Sequence, residues 1–208
     1  MPTYFGSSAS TAPAWSVTGP SGVGKTHFAV EVAAELSGSL ELALVDDASA
    51  SEVADRGDAV VIATSGTRLG VSGERAYPLR PLAESPAVEL FRQRAEATTP
   101  GLDAAYAELA ALCRRLGRLP LAIELVAARG SDGLRASIDA AWRLEAVIAW
   151  SYEQLNEREK DVLRAVAADP TAEVDPLAVA ELVQLRLLTP TGAGAEIHSA
   201  IREFVASV

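Results

Sequence analysis

The run Gly19-Pro20-Ser21-Gly22-Val23-Gly24-Lys25-Thr26 constrains the fold of this chain more than any other stretch. It fits the spacing G-x-x-x-x-G-K-[ST], and its flanks are the ones this spacing requires. Trp15-Ser16-Val17-Thr18 reads as a short buried strand, and His27 to Leu36 reads as a helix with apolar residues at i, i+3, i+4 and i+7. Strand, glycine loop and helix in that order predict an α/β layer built on a parallel sheet.

The chemistry follows from the spacing. Glycines let successive backbone N–H groups turn inward around an anion, and the helix N-terminus adds its partial positive charge. Gly19, Ser21, Gly22, Val23 and Gly24 would line a phosphate chain, with Lys25, Thr26 and His27 in the first helical turn. Lys25 would reach the β- and γ-phosphates, and the Thr26 hydroxyl would be a ligand of a magnesium ion bridging them. Of eighteen basic residues only Lys25 and Lys160 are lysine. An otherwise arginine-using chain thus keeps a compact ammonium where a phosphate needs a point charge.

Further along, Leu40 to Val45 reads as a strand that ends in Asp46-Asp47. An apolar strand delivering acid at its C-terminal end suits a magnesium shell, and makes Asp46 a metal-shell residue and Asp47 a candidate catalytic carboxylate. Ala59 to Ala63 reads as a second buried strand closing with Thr64-Ser65, polar residues placed to meet a γ-phosphate. Gly66, Gly70 and Gly73 mark a loop, and Tyr77-Pro78-Leu79 reads as an edge strand, because proline cannot donate to a central ladder. From Ser85 the period becomes helical, with Ser85-Pro86 as cap and first turn, followed by helices at about Asp103–Leu116 and Leu121–Arg129. The stretch Leu144–Val208 reads as three helices, a small ribbon around Gly192-Ala193-Gly194 and a terminal helix.

The chain has 208 residues, of which 49% are hydrophobic and 22% charged, with a net charge of −10. That length suffices for one or two packed domains. Nucleic acid is an unlikely partner on this charge balance, since phosphate backbones are bound through positive patches and the longest basic cluster is Arg114-Arg115. Cys113 is the sole cysteine, so no intrachain disulfide can form, and a reducing, cytoplasmic setting is expected. No run approaches the roughly 18 apolar residues of a membrane helix, and no leader pattern opens the chain.

Taken in order, Thr18-Gly19-Pro20-Ser21-Gly22-Val23-Gly24-Lys25-Thr26, Ala63-Thr64-Ser65, Leu69-Gly70-Val71-Ser72-Gly73-Glu74-Arg75, Gly117-Arg118-Leu119-Pro120-Leu121-Ala122-Ile123-Glu124-Leu125 and Trp150-Ser151-Tyr152 closely resemble the NB-ARC module of STAND-class P-loop ATPases, as found in bacterial, actinomycete-type regulators. The resemblance spans the chain from Thr18 onward. It implies a reduced P-loop domain (1–82), a helical subdomain (83–141) and a shortened winged-helix-like subdomain (142–208). It also implies ATP/ADP and Mg2+ as cofactors. Pro120, in the Gly-x-Pro element, would begin a helix that covers adenine and ribose. Ile197-His198-Ser199 is similar to the family's Met-His-Asp motif, which makes His198 a candidate contact to the β-phosphate of ADP; a histidine capping the last helix is the equal alternative.

The departures from the family pattern are informative. Gly66 stands where the family carries an arginine after the Thr-Ser pair, so Arg68 is the candidate substitute, beside Thr64 and Ser65 as sensor residues. Tyr4-Phe5-Gly6-Ser7 lacks the arginine of the family's adenine-binding motif. One strand is missing between Lys25 and Val60, so the Asp46 strand corresponds either to the family's second strand or to its Walker B strand. The latter is favoured, because losing an edge strand leaves the sheet continuous.

The leading expectation is an ATP/ADP-binding switch with slow, magnesium-dependent hydrolysis, acting on another protein, with self-association left open. A non-catalytic adaptor with a degenerate nucleotide site is the alternative, and a small-molecule P-loop kinase is third, because no arginine-dense lid interrupts the α/β layer.

Overall fold

A computed structural model describes residues 14–36, 42–54, 59–136, 143–191 and 194–208. The chain divides into two compact units: one takes the residues up to Pro20 together with Gly24–Arg80, and the other takes Ser21–Val23 and Pro81–Val208.

The first unit is built on β1 (Ala14–Thr18), α1 (Lys25–Leu36), β2 (Leu42–Val45), α2 (Ala50–Ala54), β3 (Val60–Ser65) and β4 (Glu74–Pro78). The strands form a parallel sheet in the order β2-β3-β1-β4, with Trp15 opposite Ile62 and Arg75, and Val45 opposite Ala63. Alternation along the strands gives the sheet two faces. On one, Val17 and Ile62 pack against Phe28, Ala29, Val32 and Ala33 of α1. On the other, Ala14, Val61 and Ala63 pack with Val45, Val53 of α2, and Leu69 and Val71 of the β3–β4 connection. The edge strand expected at Tyr77–Leu79 is β4; it begins at Glu74 and ends at Pro78, at the margin of the sheet.

The second unit runs through α3 (Glu84–Thr98), α4 (Tyr106–Arg115), α5 (Pro120–Ala127), α6 (Gly130–Ala136), α7 (Leu144–Glu153), α8 (Glu157–Ala168), α9 (Pro176–Gln184), a ribbon of β5 (Thr189–Thr191) and β6 (Gly194–Glu196), and α10 (Ser199–Ser207). One apolar core joins these elements, including Phe91, Ile123, Leu125, Ile148, Leu163, Leu182 and Ile201, each fully or nearly fully buried. Arg94 of α3 pairs with Glu124 of α5 at 2.9 Å. Asn156 caps α8 in a reciprocal box with Glu159.

One helix start differs from the sequence expectation. Ala83, not Ser85, is the N-cap of α3, and the Ala87 amide already donates to the Ala83 carbonyl at 3.1 Å. Pro86 is accommodated in the first turn, where its missing N–H would have had no partner. Burial of Ala87, Val88 and Phe91 sets the phase of the helix, so Ser85 is helical despite preceding a proline. The motif at Tyr4–Ser7, residues Leu40-Glu41 of the strand expected at 40–45, and Gly192-Ala193 of the ribbon lie outside the described residues.

Candidate functional site

The glycine loop joins the C-terminal end of β1, a central strand, to the first turn of α1. Its turn requires left-handed backbone at Gly22 (φ 75°) and Gly24 (φ 97°), which a Cβ would oppose. A side chain at Gly24 would meet nothing within 4 Å among the described residues. A side chain at Gly22 would instead press on Leu144 Cδ2 at 3.0 Å and Leu121 Cβ at 3.1 Å, and the Gly22 carbonyl accepts the Leu121 amide at 3.2 Å. By these contacts Ser21, Gly22 and Val23 belong to the second unit, and Gly22 satisfies an amide in the first turn of α5 that no intrahelical carbonyl can reach.

Lys25 Nζ donates to the Gly19 carbonyl at 3.1 Å and the Pro20 carbonyl at 3.3 Å. The ammonium is folded over the loop and held by neutral acceptors. No carboxylate among the described residues ties it up. Thr26, one residue on, donates from Oγ1 to Asp46 Oδ1 at 2.8 Å. The same carboxylate oxygen accepts from Thr64 Oγ1 at 2.6 Å, and Thr64 Oγ1 in turn accepts from the Asp47 amide at 2.8 Å. The first turn of α1, the end of β2 and the end of β3 thus converge on one exposed carboxylate. Parallel pairing of β2 with β3 places Val45 beside Ala63, which brings the ends of the two strands together.

Asp47 adopts a left-handed backbone (φ 49°), a conformation that aspartate tolerates better than most residues, and its side chain is exposed. Ser65 is buried, and its Oγ accepts the Thr67 amide at 3.4 Å in a short turn leading to exposed Arg68. His27, also exposed, pairs with Glu31 at 3.3 Å along α1. Pro120 is the first residue of α5, and His198 is the N-cap of α10, its Nδ1 accepting the Ala200 amide at 3.1 Å. The geometry therefore gathers Lys25, Thr26, Asp46 and Thr64, with Asp47 beside them. Pro120 and His198 are placed in the second unit.

Sequence reasoning passed over Glu74 and Ser16. The Ser16 hydroxyl, buried on β1, donates to Glu74 Oε1, while the amides of Leu69 and Gly70 donate to the same carboxylate at 3.0 and 2.8 Å. Burial pushes the Glu74 carboxyl up, but the Ser16 hydroxyl, the two amides and the charge of Arg68 outweigh it and hold it below the ordinary glutamate value. The signal available in sequence was a polar residue at the centre of an apolar strand and an acid opening an edge strand.

A solved structure with a related architecture is the STAND protein with a tetratricopeptide repeat sensor from Pyrococcus horikoshii, at a TM-score of 0.63 and 17% identity, over 94% of this chain and 40% of that one. The chain has a STAND-like fold. By sequence it is similar to proteins of Mycobacterium bovis and Mycobacterium tuberculosis that carry the name of HTH-type transcriptional regulators, each 34% identical over 130 residues. Those matches cover 51% of this chain, and the chain spans about 15% of the length of these relatives. No family model matches the chain. Among the described residues no helix is long and apolar enough to cross a membrane.

Proposed function

We propose that the chain is an ATP/ADP-binding switch module of STAND type, serving a regulatory protein, with slow magnesium-dependent hydrolysis. The observation that carries this reading is the convergence of Thr26 and Thr64 on one oxygen of Asp46, beside a glycine loop whose lysine is held, among the described residues, by carbonyls alone.

The residues fit the group. At Gly24, where no described residue would meet a side chain, the loop amides and the N-terminus of α1 favour an anion. Lys25 would exchange two carbonyl contacts for a phosphate, whose full negative charge attracts the ammonium more strongly than a carbonyl dipole does. Thr26 and Asp46 supply a hydroxyl and a carboxylate of the hard oxygen type that magnesium takes. When bound, the nucleotide supplies the phosphoanhydride whose presence or loss distinguishes two states of the switch. Asp47, exposed and adjacent in sequence to Asp46, would orient the attacking water, and its amide is held by the Thr64 hydroxyl. Gly66, not an arginine, directly follows Ser65, so charge in the transition state would rest on Lys25 and the metal, with Arg68 two residues further on as the candidate substitute, which agrees with slow turnover.

His198 and Pro120 are proposed to report the nucleotide state from the second unit. The names of the mycobacterial relatives favour a regulatory setting, in which the module would act on a partner protein or a DNA-reading element.

Thermal unfolding with and without Mg-ATP and Mg-ADP tests the reading. A ligand at 100 times its Kd adds about 2.7 kcal/mol to a protein that binds it only when native. Wild type should melt several degrees higher with nucleotide, and Lys25→Ala should show no shift. A wild-type melting curve indifferent to both nucleotides would overturn the proposal.

A further inference from the structure

Parallel neighbours are ordinarily linked by a crossover of a dozen or more residues, most often a helix that satisfies its own backbone while covering the sheet. Here β3 and β4 stand on either side of β1, and Gly66–Gly73, eight residues without a helix, makes the connection. The segment must return from the end of β3 to the start of β4. At about 3.3 Å per residue, it is only slightly longer than the six-residue strand it runs back along. It bends at Gly70 (φ 73°) and Gly73 (φ 76°) and sets Leu69 and Val71 against Ala14, Val61 and Ala63.

A crossover without a helix lays backbone N–H groups over an apolar face, and these need acceptors. Glu74 provides them. Its carboxylate takes the Leu69 and Gly70 amides and is itself anchored to the sheet by the Ser16 hydroxyl, 58 positions away in sequence and 1% exposed. The residue immediately before the two captured amides is Arg68, whose charge acts on Glu74. Three residues further back is Ser65, joined to the segment through the Thr67 amide, and beside it Thr64 holds Asp46.

We infer that Glu74 is a positioning residue for the nucleotide site: by fastening the β3–β4 crossover to Ser16, it fixes where Arg68 and the Thr64-Ser65 strand end stand, and so sets the preference for ATP over ADP. This rests on the nucleotide-switch reading and adds to it the part that responds to the terminal phosphate. Glu74 acts through the crossover and not by contact with the nucleotide.

The experiment combines limited proteolysis with nucleotide affinity in the full chain. Glu74→Ala should raise tryptic cleavage after Arg68 by about tenfold, because two captured amides are released and cleavage follows the population of the open segment. The ratio of ADP to ATP dissociation constants should change by at least about fivefold in the same variant. Glu74→Gln keeps one acceptor oxygen, enough for one of the two amides that the carboxylate takes on separate oxygens, and should restore part of both readouts. Ser16→Ala, which removes one anchor and leaves the carboxylate, is the milder variant should Glu74→Ala fail to fold, and should shift both readouts in the same direction. Faster cleavage with an unaltered nucleotide ratio, or a cleavage rate equal to that of wild type, would overturn the positioning role. Absence of nucleotide binding by wild type would sink the switch reading and the positioning role together, and that outcome is distinct from the other two.

Discussion

At the scale of single residues, the site depends on one carboxylate oxygen shared by two hydroxyls. Asp46→Ala leaves the buried Thr64 hydroxyl without its acceptor and should cost about 1–2 kcal/mol in urea unfolding. Asp46→Asn keeps an acceptor at Oδ1 and should cost less than about 1 kcal/mol, yet both variants should lose the magnesium-dependent part of nucleotide affinity. A stability loss equal in the two would show that the charge, not the hydrogen bond, holds Thr64. The two loop glycines make a second contrast. Gly22→Ala forces a Cβ against Leu144 and Leu121 at positive φ, and should destabilise the fold by about 1–3 kcal/mol. Gly24→Ala meets no atom of the described residues, so its cost is backbone strain of about 1–2 kcal/mol, while its Cβ stands in the phosphate-binding loop and should lower nucleotide affinity at least about tenfold. Cys113 is a third case. Burial pushes its thiol up to about 11 from an unfolded value near 9, so the native protein keeps its proton, and the associated stability, until pH rises through that range. At pH 8.5 iodoacetamide should leave native Cys113 unmodified and react with it in urea, as peptide mass measurement would show.

At the scale of elements, the caps and crossovers decide which parts of the fold are legible. Asn156 begins α8 with both halves of a capping box, its Oδ1 accepting the Glu159 amide at 3.0 Å and Glu159 Oε2 accepting the Asn156 amide at 2.8 Å. Asn156→Ala should cost about 1 kcal/mol by denaturant unfolding, and a change below about 0.3 kcal/mol would mean that tertiary packing alone holds the turn. The strand, loop and helix around Lys25 could be read from sequence because glycine spacing leaves few other backbones open to them. The end of β2 could be read because an acid closing an apolar run has a chemical reason to be there. The helices α2 and α6 could not be read: Ala50–Ala54 is too short to show a helical period, and Gly130 and Gly133 disguise Gly130–Ala136. Ser85 was a plausible cap on residue type, but the start of α3 is set by what it buries. The Ser16–Glu74 tether leaves no periodic mark, since its partners meet only when β4 pairs with β1. For the same reason the placement of Pro120 and His198 in the second unit gives them a helix start and a cap, but not a ligand.

At the scale of the molecule, the two units differ in what they bury. The sheet unit gathers mostly alanine and valine into two small clusters, whereas the helical unit packs Phe91, Leu109, Leu116, Ile123, Leu125, Ile148 and Leu163 into one. Each buried methylene contributes about 0.8 kcal/mol, so a core of alanine and valine supports its unit far less than one of leucine, isoleucine and phenylalanine. The sheet unit should therefore open at lower free energy, and unfolding should depart from a single cooperative transition. Hydrogen exchange followed by mass spectrometry separates the two: amides of β1, β2 and β3 should exchange faster than those of α5 and α8 without nucleotide. Mg-ADP at about 100 times its Kd should slow the strand amides by up to about 100-fold, since ligand bound only to the closed unit reduces its open population in proportion. Strand amides as slow as those of α5 without ligand would mean that the sheet unit draws stability from something other than its own apolar clusters. Strand amides that stay fast with Mg-ADP, beside a melting curve that does shift, would place the bound nucleotide away from the Lys25 loop.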